Sequence, residues 1–356
     1  MNTVRQRPFV IPVFLPQAGC PHQCAFCNQA AITGKTAKHP GPQDVRATIK
    51  GFLKYRSEKH REAQIAFYGG NFLGLEPFRI QSLLEIASEF IARGEADSIR
   101  FSTRPDTVDM QRLALIEPYP VRVIELGVQS MNNEVLQRNR RGHDAGDTKR
   151  ATALLRSRQY TLGLQMMVGL AGETRAETRV SGLAMADLKP DFVRIYPTLV
   201  FEGSLLGRWY REGKYAPLSM EAAVSGVKRL YLMFRHHGIR VIRMGLQSSP
   251  QLDAGKGLLA GPYHPAFGHL VHSRIFLDAL LARLHRDARH LPGPVAVRVH
   301  PAAVSTLRGL HNDNLRVLEE RFGTDSLGIV LDLTLNRGHL LVDGRLCRPY
   351  AQSESG

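Results

Sequence analysis

Three of the four cysteines fall within eight positions, in the stretch CPHQCAFC from residue 20 to residue 27. Their spacing is C-x3-C-x2-C: Cys20, Cys24 and Cys27. Disulfides pair thiols two by two and account badly for an odd cluster. Thiolates suit iron–sulfur clusters and zinc. Three of them can hold three irons of a cubane [4Fe-4S] cluster from one loop, which leaves the fourth iron free to bind a small molecule. A structural zinc site asks for a fourth ligand. His22 could complete one only by folding back between the cysteines, and Cys347 lies more than three hundred residues away. Phe26, beside the last cysteine, can pack over a flat ligand near the open iron.

The loop follows an apolar run, FVIPVFL (9–15), that reads as a strand. From there a strand followed by a helix recurs along the chain. The strands are predicted at 64–70, 98–104, 121–130, 160–170 and 192–198, and the helices at 43–60, 76–94, 108–117, 147–159, 173–188 and 219–238. The strands are apolar and β-branched, the helices carry apolar residues at three- and four-residue spacing, and Gly, Pro or Asp separates them. Ser219 is placed as an N-cap and Gly238 as a C-cap. Six βα units with right-handed crossovers make a parallel sheet covered by helices. The expected fold class is therefore α/β, a partial (β/α)6 TIM-like barrel, whose active face carries the loops at the C-terminal ends of the strands. A doubly wound open sheet is the alternative. After RVIRMGL (240–246) the pattern changes, and residues 247–356 are read as a small α/β accessory domain following a barrel of residues 1–246. In it a helix is expected from about 267, a strand at 295–300, a short helix in PAAVSTLR, a helix at 314–323 and a hairpin over 328–344.

The chain has 356 residues and a 43% hydrophobic content, ample for a large core. Its 47 Lys and Arg exceed its 32 Asp and Glu, a net charge of +15 that favours a polyanionic partner such as nucleic acid or reflects simple solubility. The N-terminal apolar stretch is short and broken by Pro12 and Pro16, and no run reaches the length of a membrane span. The reading is a cytoplasmic protein, without a membrane partner, in which clustered thiols stay reduced and serve metal or catalysis.

With its aromatic residue before the last cysteine, and its place after the first strand of a (β/α)6 pattern, the cysteine motif resembles that of the radical S-adenosylmethionine enzymes. The resemblance implies a [4Fe-4S] cluster on Cys20, Cys24 and Cys27, with S-adenosyl-L-methionine (SAM) chelated to the open iron. It also implies an external electron donor, reductive cleavage of the sulfonium, and a 5′-deoxyadenosyl radical that abstracts hydrogen from substrate. YGGN (68–71) resembles the family's Gly-Gly motif, which would bring Gly69 and Gly70 to the methionine amino group. Asn71, carried over with them as a cofactor contact, stands where the family usually has Glu or Thr. ELGVQS (125–130) resembles the fourth-strand segment, with Gln129 and Ser130 approaching ribose or methionine, and QMMVGLAGET (165–174) resembles the fifth, which brings Gln165 to the adenine side. Glu125 and Gln165 are polar residues in apolar strands, for which a ligand or inter-strand hydrogen bonds would account.

STRPD (102–106), ELGVQS, RRGH (140–143) and RIYPTLVFEGSLLGRWYREGKYAPLS (194–219) together look like the catalytic subunit of Elongator, which modifies the tRNA wobble uridine. The coproporphyrinogen III dehydrogenase branch is a more distant relative. The likeness covers about residues 8–246 and makes Arg104, Arg140, Arg141 and Arg194 candidates for anion contacts. Beyond the barrel no glycine-rich pyrophosphate loop is seen, so carboxymethylation from acetyl-CoA does not transfer. The tail, with its GLHN loop (309–312) between two short helices, resembles a KH RNA-binding module, Asn312 replacing the second Gly. His264, His269 and His272 do not share a helix face cleanly as metal ligands would. Three readings follow: a radical SAM enzyme acting on RNA, a tRNA base above all; the same chemistry on a small anionic metabolite such as a tetrapyrrole; or a non-catalytic iron–sulfur RNA-binding protein.

Overall fold

The computed structural model describes residues 8–29, 40–56, 62–287, 295–322 and 327–351. Strands β1 (Phe9–Phe14), β2 (Ala63–Tyr68), β3 (Ser98–Thr103), β4 (Val121–Gln129), β5 (Thr161–Val168), β6 (Phe192–Pro197) and β8 (Arg240–Met244) form one sheet in that spatial order. Every neighbouring pair is parallel, and the sheet curls into a half-barrel. Helices α1 (Pro42–Leu53), α2 (Pro77–Ala92), α3 (Met110–Ile116), α4 (Asn133–Arg138), α5 (Ala145–Ser157), α6 (Arg175–Asp187), α7 (Leu205–Arg211) and α8 (Met220–His236) fill the crossovers. Each predicted strand and helix of the barrel is present. The reading overlooked α4 and α7, which are six and seven residues long and too short for helical periodicity to register. Residues 57–60 of the first predicted helix lie outside the described residues.

The strands explain the curl. Ile124, Leu126 and Val128 of β4 join the large apolar core beneath the helices, as do Leu164 and Met166 of β5 and Val193 and Ile195 of β6. Successive side chains of a strand point to opposite faces. Glu125 and Gly127, Gln165, and Arg194 and Tyr196 therefore face the concave side, where polar groups and ligands belong. The helix ends are chemically set: Ser219 accepts the Ala222 amide at 3.1 Å at the start of α8, and Gly238 follows its end at φ 71°, where only Gly is unstrained.

Beyond the barrel, α9 (Pro250–Asp253) and β9 (Leu258–Ala260) precede α10 (Phe267–Asp287); β9 pairs with the short β7 (Val200–Phe201). Helix α10 serves two cores. Its first half, Phe267, Val271 and Ile275, joins the barrel core, and its second half, Phe276, Leu280 and Leu284, packs under a second sheet. That sheet has the order β11-β10-β12-β13, from β10 (Val295–Val299), β11 (Leu327–Leu331), β12 (Leu340–Val342) and β13 (Arg345–Cys347). Helices α11 (Val304–Arg308) and α12 (Asp313–Phe322) connect β10 to β11.

One expectation fails here. Residues 328–344 are not a hairpin: β11 runs parallel to β10 on one side, and β12 lies antiparallel on the other. The hairpin is β12–β13, turning on Asp343 and Gly344 at φ 46° and 76°. An Asp-Gly pair with both residues left-handed is the two-residue turn that strand twist favours.

Candidate active site

The cysteine loop leaves β1 and is tied down residue by residue. Leu15 N donates to Tyr68 O at 2.7 Å, Gln17 N to Gly69 O at 3.1 Å, and Asn71 N to Ala18 O at 2.8 Å. A Cβ on Gly70 would sit 2.4 Å from Ala18 O, so only Gly lets the β2 turn lie against this loop. Gly70 thus abuts the loop backbone, while Gly69 turns the chain at φ 95°. Asn71 is fully buried and its side chain is bonded through both its nitrogen and its oxygen. Its Nδ2 donates to Gly19 O at 2.8 Å, and its Oδ1 accepts from Thr103 Oγ1 at 2.7 Å, Thr107 Oγ1 at 2.8 Å and Arg104 N at 3.0 Å. The residue that departs from the family pattern is a buckle joining three loops.

The far end of the cysteine loop is held by Asn139, which the sequence reading passed over. Ala25 N donates to Asn139 O at 3.0 Å, and the Asn139 side chain brackets Ala171, donating to its carbonyl at 2.9 Å and accepting its amide at 3.2 Å. Leu206 N donates to Ala25 O at 2.7 Å. Phe26 packs between Met167, Leu170 and Tyr196 on one side and Val200 and Leu206 on the other.

Cys24 is buried, and Cys20 and Cys27 are partly so. Burial pushes the Cys27 thiol up to about 12, and the nearby Cys24 and Cys20 sulfurs add to the shift. Burial raises Cys20 as well, against the opposing pull of Arg141. Three neighbouring thiols that would repel one another as thiolates call for positive charge beside them. Arg141 supplies part of it: Nη1 donates to Cys24 Sγ at 3.2 Å and Nη2 to Gly127 O at 2.5 Å. A Cβ on Gly127 would lie 2.9 Å from that Nη2. Of the four arginines singled out, Arg141 and Arg104 converge on this loop, Arg140 is exposed, and Arg194 lies deeper in the barrel. Burial, helped by the Arg141 charge, pulls His143 down to about 3, so its ring is neutral.

Gln129 ends β4 at a bulge in its pairing with β5, with φ 68°. A left-handed glutamine stores backbone strain of about 1–3 kcal/mol. It is 6% exposed, and its Oε1 has no hydrogen-bond partner. Arg104 Nη1, Arg141 Nε and His143 Nδ1 are likewise buried and unpaired. Such atoms cost free energy until something bonds them. Ser130 does not join this group. Its hydroxyl lies 3.1 Å from Ser181 Oγ on α6 and accepts the Asn132 amide at 3.2 Å, on the helix side of the sheet. Gln165 is half-buried, in register between Gly127 and Arg194 on the concave side.

Glu125 has an account in protein partners. Arg100 Nη2 approaches its Oε1 to 2.6 Å, Arg194 Nε lies 2.7 Å from its Oε2, and Tyr68 donates its hydroxyl at 3.0 Å. Arg100 Nη1 also donates to Gln64 at 2.9 Å. Two guanidiniums thus share one carboxylate inside the barrel.

Among the described residues no three His, Cys, Asp or Glu side chains form the ligand set of a single metal ion. The zinc alternative through His22 finds no support: the His22 ring is exposed and packs against the Gly142 backbone, where a Cβ would be 2.2 Å from it. The loop GLHN joins α11 to α12 with Gly309, His311 and Asn312 at positive φ. Gly309 is required by the Asn314 side chain beside it, which bonds Ser273 O and Leu307 O at 3.0 Å. No helix among the described residues is long and apolar enough to cross a membrane.

The model of the Radical SAM superfamily matches residues 14–181, and that of the Radical_SAM C-terminal domain matches residues 190–276. The chain belongs to the radical SAM superfamily. It is an enzyme of that class. A protein named tRNA uridine(34) acetyltransferase from Methanocaldococcus jannaschii is 34% identical over 60% of this chain and 47% of its own length. One of the same name from Dehalococcoides mccartyi is 25% identical over 67% of this chain and 59% of its own. This radical SAM chain therefore spans about half the length of these curated relatives. The solved structure of archaeal Methanocaldococcus infernus Elp3 with its N-terminus deleted superposes with a TM-score of 0.61 at 22% identity, covering 77% of this chain and 64% of that one. At that identity the likeness is one of fold.

Proposed function

We propose that this radical SAM enzyme binds a [4Fe-4S] cluster on Cys20, Cys24 and Cys27, cleaves SAM reductively at the iron left without a thiolate, and acts on RNA, most specifically on a tRNA base. The observation that carries the reading is the set of buried, unpaired polar atoms gathered beside the cysteine loop: Gln129 Oε1, Arg104 Nη1, Arg141 Nε and His143 Nδ1. A polar cosubstrate bound there would satisfy groups that the protein alone does not.

When bound, the cluster supplies one electron from an external donor to the SAM sulfonium, which yields methionine and a 5′-deoxyadenosyl radical able to take a hydrogen atom from substrate. The residues of this chain bind, orient and shield. The loop from Gly19 to Cys27 offers three thiolates from a backbone fixed at Asn71 and Asn139. Arg141 donates to Cys24 Sγ and would offset the negative charge of a cluster held there. Gly69 and Gly70 present backbone to an amino group, Gln129 offers an unpaired carbonyl oxygen to a hydroxyl or ammonium, and Gln165 faces the same concave side. Phe26 and its apolar neighbours exclude water from above the cysteines.

The RNA part rests on the names of the relatives and on the net charge of +15. A second reading has its own support. The two buried arginines around Glu125 leave an excess positive charge in the barrel, which suits a small anionic metabolite. Anaerobic reconstitution and a screen of tRNA against anionic metabolites for 5′-deoxyadenosine separates them. The RNA reading expects stimulation by tRNA, and stimulation by a small carboxylate alone would refute it.

A further inference from the structure

A large cavity lies outside the barrel. It is a groove of about 1350 Å³ on the outer surface, where α6 and α8 meet α10 and the strand-end segment around Arg348. Its upper end is formed by Gly169 and Glu173, at the C-terminal end of β5. That loop is the one that Asn139 ties to the cysteine loop through Ala171. The groove thus runs down the outside of the barrel from its active face.

Its walls are basic. Arg175, Arg179, Lys228, Arg229, Arg283 and Arg348 line it, against the carboxylates of Glu173 and Asp278. The two acids have protein partners, one of them a lysine of the groove itself. Asp278 pairs with Lys228 and, at 3.0 Å, with Arg274. Glu173 accepts the Gly169 amide at 2.9 Å, and burial holds its carboxyl up at about 7. Arg175, Arg179 and Arg348 are exposed and have no ion pair among the described residues. Arg175 and Arg179 are one helical turn apart and present guanidiniums on the same side of α6. The floor is apolar, with Val168, Leu183 and Met233. A positively charged groove is what tracks a phosphodiester backbone.

We propose that this groove is a docking track for the RNA backbone, leading a strand to the barrel mouth. The inference rests on the RNA reading above and assigns its contact surface to α6, α8 and the Arg348 segment rather than to the KH-like GLHN loop. Opposite charge along the walls selects a polyanion, and each neutralised phosphate makes binding steeper in salt.

The test is the salt dependence of binding to an unmodified tRNA transcript, by fluorescence anisotropy, for three proteins: wild type, Arg175→Gln/Arg179→Gln, and Arg308→Gln/Arg316→Gln on the KH-like side. Thermal melting verifies that each variant is folded. The groove pair is expected to weaken binding and flatten the log–log salt slope by about 2, while the KH-side pair leaves it unchanged. If wild type binds tRNA and the groove pair binds with the same slope, the groove is not the track and the RNA reading stands. A slope lost only in the KH-side pair also overturns the groove, in favour of the GLHN loop. If wild type binds no tRNA at all, the RNA reading falls and takes the groove with it.

Discussion

Replacing Glu125 by Gln tests the barrel interior quantitatively. The carboxylate is 2% exposed and lies within 2.6 Å of Arg100 and 2.7 Å of Arg194, both mostly buried. Glu125→Gln keeps the shape but leaves two guanidiniums buried without a counter-charge. Breaking a buried ion pair on one side costs about 3–5 kcal/mol. The amide oxygen still accepts one bond, so the lower figure applies, about 3 kcal/mol. For a chain of this size that lowers the melting temperature by about 4 °C. The physical claim is that the penalty comes from stranded cations, not from lost packing. Removing all three charges, with Arg100→Met, Glu125→Leu and Arg194→Leu, should then recover most of the loss, because apolar side chains of similar volume replace such triads at little cost. Urea unfolding of the apoprotein reads both variants. A Glu125→Gln cost below about 1 kcal/mol, or a triple variant as unstable as the single one, would refute the reasoning.

Three further outcomes follow from individual contacts. Arg141→Gln removes a positive charge 3.2 Å from Cys24 Sγ, so the reconstituted cluster should be harder to reduce. A tenfold fall in the reduced fraction, about 59 mV in a redox titration, is expected, and Arg141→Lys should retain most of the wild-type potential. Glu173 has its carboxyl raised from 4.5 to about 7 by burial, so the folded state binds the extra proton between those values. Its stabilising contribution is complete below pH 4.5 and is lost as pH rises through 7, about 3 kcal/mol in all, and Glu173→Gln should flatten that part of the stability–pH curve. Cys347→Ser should leave iron content unchanged, since Cys347 sits on β13 with its Sγ 3.7 Å from Ala279 O.

The barrel was legible because each strand is an apolar run and each long helix keeps its period. The cysteine loop was legible because its ligands are neighbours in sequence. What holds the site in place was not. Arg100, Glu125 and Arg194 come from three strands, and only the register of β3, β4 and β6 brings them together. Glu125 showed as a polar residue in an apolar run, but its partners could not be read from that. Asn71 and Asn139 look like ordinary turn residues until the loops they buckle are adjacent. Ser130 follows Gln129 directly, yet the bulge and the strand alternation send it to the opposite face. The hairpin was misplaced because β11 resembles the first strand of a pair, whereas the Asp343–Gly344 turn carried the stronger local signal.

The central claim is that three thiolates leave one iron of four without a protein ligand. Mössbauer spectra of the anaerobically reconstituted, iron-57-enriched protein, recorded with and without SAM, test it most directly. The account predicts that SAM shifts the signal of a single iron and leaves the other three unchanged. Four irons indifferent to SAM, or zinc bound in place of iron, would contradict it.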